Sequence, residues 1–258
     1  MSAQAHAIAP KTALVTGGAR RIGAAIATDL AKHGYRVVVH CHRSLAEAEE
    51  LVDAIRRDEK EAAVIAANLL DAAETGELLA KARARFGPIG VLVNNASAFL
   101  PDTADQPDWD AWDKHFGLHL RAPAQLAQAF AAQDDLEAGL IVNLTDQRIR
   151  RLNPRFYSYT LSKSALWTAT KTMAQTFAPR IRVNAIAPGP TLASERQSEK
   201  DFERQVNALP LKRQPDLGEF GQTIRWLAET PSVTGQMIAL DGGQHLAWQT
   251  QDIDGVRE

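Results

Sequence analysis

Short apolar runs of strand character alternate with helical periodicity along this 258-residue chain, and that alternation most constrains what it can fold into. Lys11–Val15, Tyr35–His40, Ala62–Ala67, Ile89–Asn94, Leu140–Leu144 and Ile181–Ala187 read as buried strands. Between them, Ile22–His33, Ala72–Phe86, Trp109–Gln133 and Tyr157–Phe177 read as helices. Ser44, with Glu47 three residues on, reads as the N-cap of a further helix running to about Lys60. Repeated β-α units of this kind predict an α/β fold whose sheet is doubly wound, mostly parallel and joined by right-handed crossovers. No linker, repeat or low-complexity tract divides the chain, so residues 10–258 are expected to form a single domain behind a flexible tail of residues 1–9.

Composition excludes several classes. A hydrophobic content of 45% with 23% charged residues is ordinary for a globular protein. The formal net charge of -2 argues against a nucleic-acid groove, and the basic run Arg148, Arg150, Arg151, Arg155 is too local to reverse that. One cysteine, Cys41, permits no internal disulfide and suits a reducing compartment. No apolar run reaches about 18 residues, and Met1–Pro10 lacks a charged segment followed by an apolar one. A cytoplasmic protein with neither a membrane nor a nucleic-acid partner is expected, and no metal site is read.

Four segments carry chemistry. Thr16-Gly17-Gly18-Ala19-Arg20-Arg21-Ile22-Gly23 joins the first strand to the first helix, where glycines let backbone N–H groups approach a pyrophosphate at a helix N-terminus. Arg20 and Arg21 add positive charge there, one as solvated surface and the other toward phosphate or an anionic substrate edge. At the end of the second strand, His40-Cys41-His42-Arg43-Ser44 has no carboxylate before Glu47. An acidic residue at this place holds a ribose 2'-hydroxyl, whereas His42, Arg43 and Ser44 suit a 2'-phosphate, so NADPH/NADP+ is the cofactor predicted. Val91–Phe99 runs from a strand into the small-residue turn Asn95-Ala96-Ser97, which leaves room for a flat ligand. Finally, Tyr159 and Lys163 lie one helical turn apart, thirteen residues after Asp146 at another strand end. A phenol is a poor acid at neutral pH, and an adjacent ammonium favours its ionised form, so Lys163 is expected to lower the Tyr159 pKa while an ionised Asp146 would raise it.

These segments, together with Arg182–Gly189 and Val233-Thr234-Gly235-Gln236 leading to Asp241-Gly242-Gly243, resemble in order and spacing the short-chain dehydrogenase/reductase family over nearly the whole chain. The resemblance implies a Rossmann fold of about seven strands, with the last strand near Met237–Leu240. It implies catalysis by Asp146, Tyr159 and Lys163. For the cofactor it implies Gly17, Arg20, Arg21, Ile22, His42, Arg43, Ser44, Asn68, Leu69, Asn95, Ala96, Ser97, Tyr159, Lys163, Pro188, Gly189 and Thr191. Asn68 stands where many members carry an Asp near the adenine. A homotetramer built on the helices Trp109–Gln133 and Tyr157–Phe177 is also implied.

Arg21 in place of the middle glycine, Asp146 in place of the usual Ser and Ser97-Ala98-Phe99 resemble the pteridine reductase and bacterial dihydromonapterin/dihydrofolate reductase branch of the family. His119 replaces the usual Asn of the long helix. In that branch Arg21, Ser97, Phe99, Asp146 and Tyr159 would contact a pterin-like substrate, with Phe99 stacked on it. A carbonyl reductase of 3-oxoacyl or sugar-ketone type is the alternative, disfavoured because Asp146 removes a hydroxyl donor. A dinucleotide-sensing protein without catalysis is a third reading, which the pairing of Tyr159 with Lys163 opposes.

Overall fold

The computed structural model describes residues 10–194 and 196–248, so the expected tail at residues 1–9 lies outside the described residues. Seven strands form one sheet: β1 (Thr12–Val15), β2 (Arg36–Cys41), β3 (Ala62–Ala66), β4 (Val91–Asn94), β5 (Gly139–Leu144), β6 (Ile181–Pro188) and β7 (Met237–Leu240). Their spatial order is β3-β2-β1-β4-β5-β6-β7, and every neighbouring pair is parallel. The central strands are fully buried because helices cover both faces, which is why they read as unbroken apolar runs and not as alternating ones.

On one face lie α1 (Arg21–Lys32), α2 (Leu45–Arg57) and α8 (Leu217–Glu229), which bury Ile26, Leu30, Val52, Phe220 and Ile224 against Val15, Val37, Val39 and Val142. The other face is covered by α3 (Ala72–Phe86), α5 (Ala122–Ala131) and α6 (Tyr157–Phe177), with Leu78, Leu126, Phe130 and Ala174 packed on Leu14, Leu92, Ile141 and Val183. The chain turns from β1 outward to β2 and β3, then returns to start the other half of the sheet at β4. This reversal opens a crevice at the carboxyl ends of β1 and β4, where open α/β sheets take ligands.

The expected helix 109–133 is interrupted. It consists of α4 (Trp109–Phe116), a π-helical turn at Gly117–Arg121 and α5. Pro123 has no N–H to give to the carbonyl four residues back, and its ring would crowd that carbonyl; the wider π turn lets the chain pass without breaking. Two helices were not anticipated: α7 (Glu199–Asn207) and α8. Each carried a signal, Ser198 with its hydroxyl oxygen 3.1 Å from the Asp201 N–H, and Phe220, Ile224 and Leu227 at helical spacing. Ser44 sits at the N-cap of α2 but makes no side-chain capping bond, because its φ and ψ of -91° and 51° depart from the extended backbone usual for a cap. Among the described residues no helix is long and apolar enough to cross a membrane.

Candidate active site

Thr16, the residue after β1, ties the two halves of the sheet together. Its N–H and its hydroxyl both donate to the Val93 carbonyl, at 3.0 and 3.2 Å, and its hydroxyl oxygen accepts the N–H groups of Asn95 and Ala96 at 2.9 and 3.1 Å. Asn95 returns the contact through Nδ2, which donates to the Thr16 and Gly17 carbonyls at 2.9 and 3.0 Å. Its side chain is therefore spent on the shape of the glycine turn.

The turn itself is closely packed. Gly17 has a φ of +59°, and a Cβ there would lie 2.9 Å from the Ala96 Cα. A Cβ on Gly23 would lie 2.2 Å from the Gly17 carbonyl oxygen and 2.6 Å from Asn95 Nδ2, so only glycine lets α1 press against the turn. From the end of β2, the His40 carbonyl accepts Gly18 N–H at 2.9 Å and His40 Nδ1 accepts Gly17 N–H at 3.1 Å. Since Nδ1 accepts, the ring proton sits on Nε2 and is donated to the Ala67 carbonyl at 3.0 Å. Burial holds His40 neutral, with its pKa lowered to about 4. Nothing in the residues around His40 signals this second use.

The first turn of α1 carries no acidic residue, which suits an anion at its N-terminus. Arg20 is exposed and reaches Glu47 of α2 at 3.6 Å, on the side where His42, Arg43 and the uncapped hydroxyl of Ser44 stand. Arg21 turns the other way: its guanidinium donates to the Leu192 and Ala193 carbonyls, both at 3.2 Å, bridging the turn to the segment after β6. That bridge comes with a backbone φ of +54°, where a residue with a Cβ is strained. Ile22 packs beside the core under α1. Asn68 Oδ1 accepts Leu70 N–H at 3.1 Å and its own N–H donates to Glu74 at 2.7 Å, so the side chain shapes a local turn, while the Leu69 side chain belongs to the core. After β6, Gly189 lies against Asp241, to whose Cα a Cβ would come within 2.5 Å, and Thr191 donates to the Gly189 carbonyl at 3.2 Å, just past Pro188.

Across the crevice, α6 brings Tyr159 and Lys163 to the end of β5. The Tyr159 hydroxyl donates to Asp146 Oδ2 at 2.8 Å, and Asp146 Oδ1 accepts Arg148 N–H at 2.8 Å. Lys163 is 2% exposed and donates to the Leu144 carbonyl at 2.6 Å. Burial lowers the Lys163 pKa to about 8, with Asp146 opposing the shift. Burial raises Asp146, against the bond from Arg148 N–H and the Arg148 charge. The expected lowering of the Tyr159 phenol by Lys163 is not what the geometry delivers: burial, then the Asp146 carboxylate, push it well above 10. Lys163 is turned to Leu144 and lies 5.8 Å from the ring centroid.

Phe99 meets Tyr159 edge-on, with ring centroids 4.7 Å apart. Its ring also stacks on Phe156 at 4.0 Å and 12°. Arg148 and Arg196 flank that aromatic pair, and Arg196 donates to the Phe99 carbonyl at 2.7 Å. Neither Phe156 nor Arg196 carried a sequence signal, since the packing that makes them neighbours of Phe99 joins segments about 57 and 97 residues away. Ser97 lies 3.0 Å from His119 Nε2.

A seven-stranded doubly wound sheet, a glycine turn pinned at its switch point, and a buried tyrosine, lysine and aspartate together define a dinucleotide-dependent oxidoreductase. The chain belongs to the short chain dehydrogenase family, whose model matches residues 11–204. It is 32% identical over 242 residues to the 3-oxoacyl-[acyl-carrier-protein] reductase of Staphylococcus epidermidis, covering 92% of this chain and 99% of that protein. It is 56% identical to the FolM alternative dihydrofolate reductase 1 of Brucella suis in complex with NADP, with a TM-score of 0.92 over 95% of this chain and 99% of that one. The Brucella canis counterpart, also with NADP, is 55% identical, with a TM-score of 0.93 over 97% of this chain and all of that one.

His40 and His115 each have a pKa near 4 in the fold against 6.5 in an unfolded chain. The unfolded chain takes up their protons first as pH falls. The stability their neutral forms support is therefore intact above about pH 6.5 and lost between there and pH 4, by about 1.4 kcal/mol per histidine per pH unit. Raised Asp146 opposes part of that slope. Urea unfolding from pH 7 to 4.5 should show the decline, and His40→Asn should make it shallower; an unchanged slope contradicts the assignment.

Proposed function

We propose that this chain is an NADPH-dependent reductase of a pterin-type substrate. The observation that carries the reading is the 2.8 Å bond from Tyr159 to Asp146 beside the ring of Phe99. The Brucella proteins named above as dihydrofolate reductases, at 55 and 56% identity, support it.

When bound, the nicotinamide cofactor supplies a hydride. The residues present fit it. The glycine turn brings backbone within reach of a pyrophosphate, and His42, Arg43 and Ser44 stand ready for a 2'-phosphate. Lys163 is a buried ammonium with three donors and one acceptor at Leu144, so it has donors left for ribose hydroxyls. In this reading Gly17, Arg20, Ile22, Asn68, Leu69, Asn95, Ala96, Pro188, Gly189 and Thr191 serve the cofactor, and Arg21 serves both cofactor and substrate.

Tyr159 is the group that gives a proton to the ring nitrogen next to the carbon being reduced. Burial and Asp146 make its phenolate unfavourable, so it gives a proton readily only as it receives one. Asp146, in the carboxyl form that burial favours, is placed to pass its own proton to Tyr159 as the phenol gives one up, and the carboxylate left behind takes up a proton from solvent before the next turnover. A flat pterin, polar at its edges, suits the space beside Phe99 with Arg21, Arg148 and Arg196 around it. The 32% identity to 3-oxoacyl reductases supports a carbonyl reductase as second reading. Against it, the hydroxyl near Tyr159 belongs to Ser97, which His119 already engages at 3.0 Å.

The same proposal includes a cytoplasmic homotetramer. Phe116, Leu120 and Ala124 line a groove on the outer side of α4 and α5 that a second copy would cover. Sedimentation at micromolar concentration should give four copies; a monomer contradicts it.

NADPH oxidation measured against dihydrofolate, dihydrobiopterin, dihydromonapterin and a set of ketones tests the reaction. Turnover of at least one pterin above every ketone is expected, and ketone turnover with none of a pterin overturns the proposal. NADPH should bind more tightly than NADH, and Arg43→Ala should narrow that gap by about 1.5–3 kcal/mol, the worth of a hydrogen bond to a charged group. Equal affinities in the unmodified chain contradict the 2'-phosphate site.

A further inference from the structure

His115 is fully buried on α4 and takes no part in the chemistry above. Its Nε2 accepts Leu100 N–H at 3.2 Å, so its proton sits on Nδ1, which lies 2.9 Å from Ser158 Oγ on α6 and donates to it. One helical turn on, within the π turn, His119 repeats the pattern. Its Nε2 accepts Ala98 N–H at 3.1 Å, and Nδ1 donates to Ser162 Oγ at 2.8 Å. Ser162 in turn donates to the Tyr159 carbonyl at 2.7 Å. The two imidazoles stack with centroids 5.4 Å apart, and the Tyr159 ring stands edge-on to both, at 5.7 and 5.4 Å. Asp102 completes the seam, its carboxylate accepting Ser158 N–H at 3.1 and 3.2 Å.

We infer that His115 is a positioning residue for the substrate side of this site: with His119 it fixes the loop 97–102, and hence Phe99, at a set distance from Tyr159. Phe99 lies between the two loop amides the histidines hold, Ala98 and Leu100, and Ser158 and Ser162 flank Tyr159 on α6. Each histidine therefore ties the loop that presents the aromatic platform to the helix that presents the acid. On α6 the network closes at the Tyr159 carbonyl, which accepts from Ser162, and on the loop it also takes in the Ser97 hydroxyl, 3.0 Å from His119 Nε2, so both ends hold geometry. Spacing of the rungs also depends on the π turn, which begins two residues after His115 and contains His119. The inference rests on the pterin reading only for the identity of the substrate; the loop contact itself does not.

Two substitutions separate the halves of the His115 contact. In His115→Asn the side-chain amide reaches the Nδ1 position and can still donate to Ser158, but nothing accepts Leu100 N–H. In His115→Gln the amide oxygen reaches the Nε2 position and accepts Leu100 N–H, while the donor to Ser158 is lost. In His115→Asn, KM for the pterin should rise about tenfold with kcat reduced and NADP+ affinity unchanged, as one buried hydrogen bond is removed; His115→Gln should restore most of KM. Amide hydrogen exchange needs no substrate: Leu100 should lose protection in His115→Asn and keep it in His115→Gln. Equal loss of thermal stability in both variants, with native KM and native Leu100 protection, would overturn the inference. Absence of pterin turnover in the unmodified chain, with Leu100 behaving as described, would sink the pterin reading and leave the loop contact standing.

Discussion

The hydrogen bonds of Thr16 to the chain at Val93, Asn95 and Ala96 decide where this molecule can hold a ligand. They join the carboxyl ends of β1 and β4, the strands at which the sheet reverses direction, and they fix both lips of the crevice with one side chain. Asn95 and the Gly17–Gly23 approach then close the turn to a shape that admits another group's phosphate but no side chain of its own. His40 secures the same turn from β2. The cofactor crevice is thus built of backbone held in place, and the charged groups at its edges only select what enters.

The opposite wall works by burial. Asp146, Tyr159 and Lys163 are withdrawn from water, and each is pushed toward its neutral form. An exposed phenol beside an ammonium would become more acidic. Here the carboxylate is the nearer partner and solvent is absent, so the phenol keeps its proton until a neighbour supplies another. In the proposed reaction, Asp146 in place of a hydroxyl residue makes the tyrosine a link between a carboxyl group and the substrate.

Much of this was legible in the sequence, because it rests on local patterns. The strands are continuous apolar runs, the glycine turn sits between a strand and a helix, and Tyr159 and Lys163 share a helix face. What was not legible depends on contacts between distant segments. His115 and His119 read as two polar residues on a long helix; their meaning arises from Ser158 and Ser162, 43 residues away, and from two loop amides. The π turn is invisible to a 3.6-residue periodicity, although Pro123 marks its cause. Lys163 illustrates a misreading of another kind: its spacing from Tyr159 is as expected, but burial and the Leu144 carbonyl govern its charge.

The central claim is that Asp146, through Tyr159, makes this a reductase of ring nitrogen-containing substrates and not of carbonyls. The direct test is the ratio of pterin to ketone turnover in Asp146→Ser, with NADPH affinity measured alongside. The account predicts that the ratio falls by about 10²-fold or more, the contribution of one proton-transfer group, while NADPH binds as before. A ratio that stays at the value of the unmodified chain would contradict it.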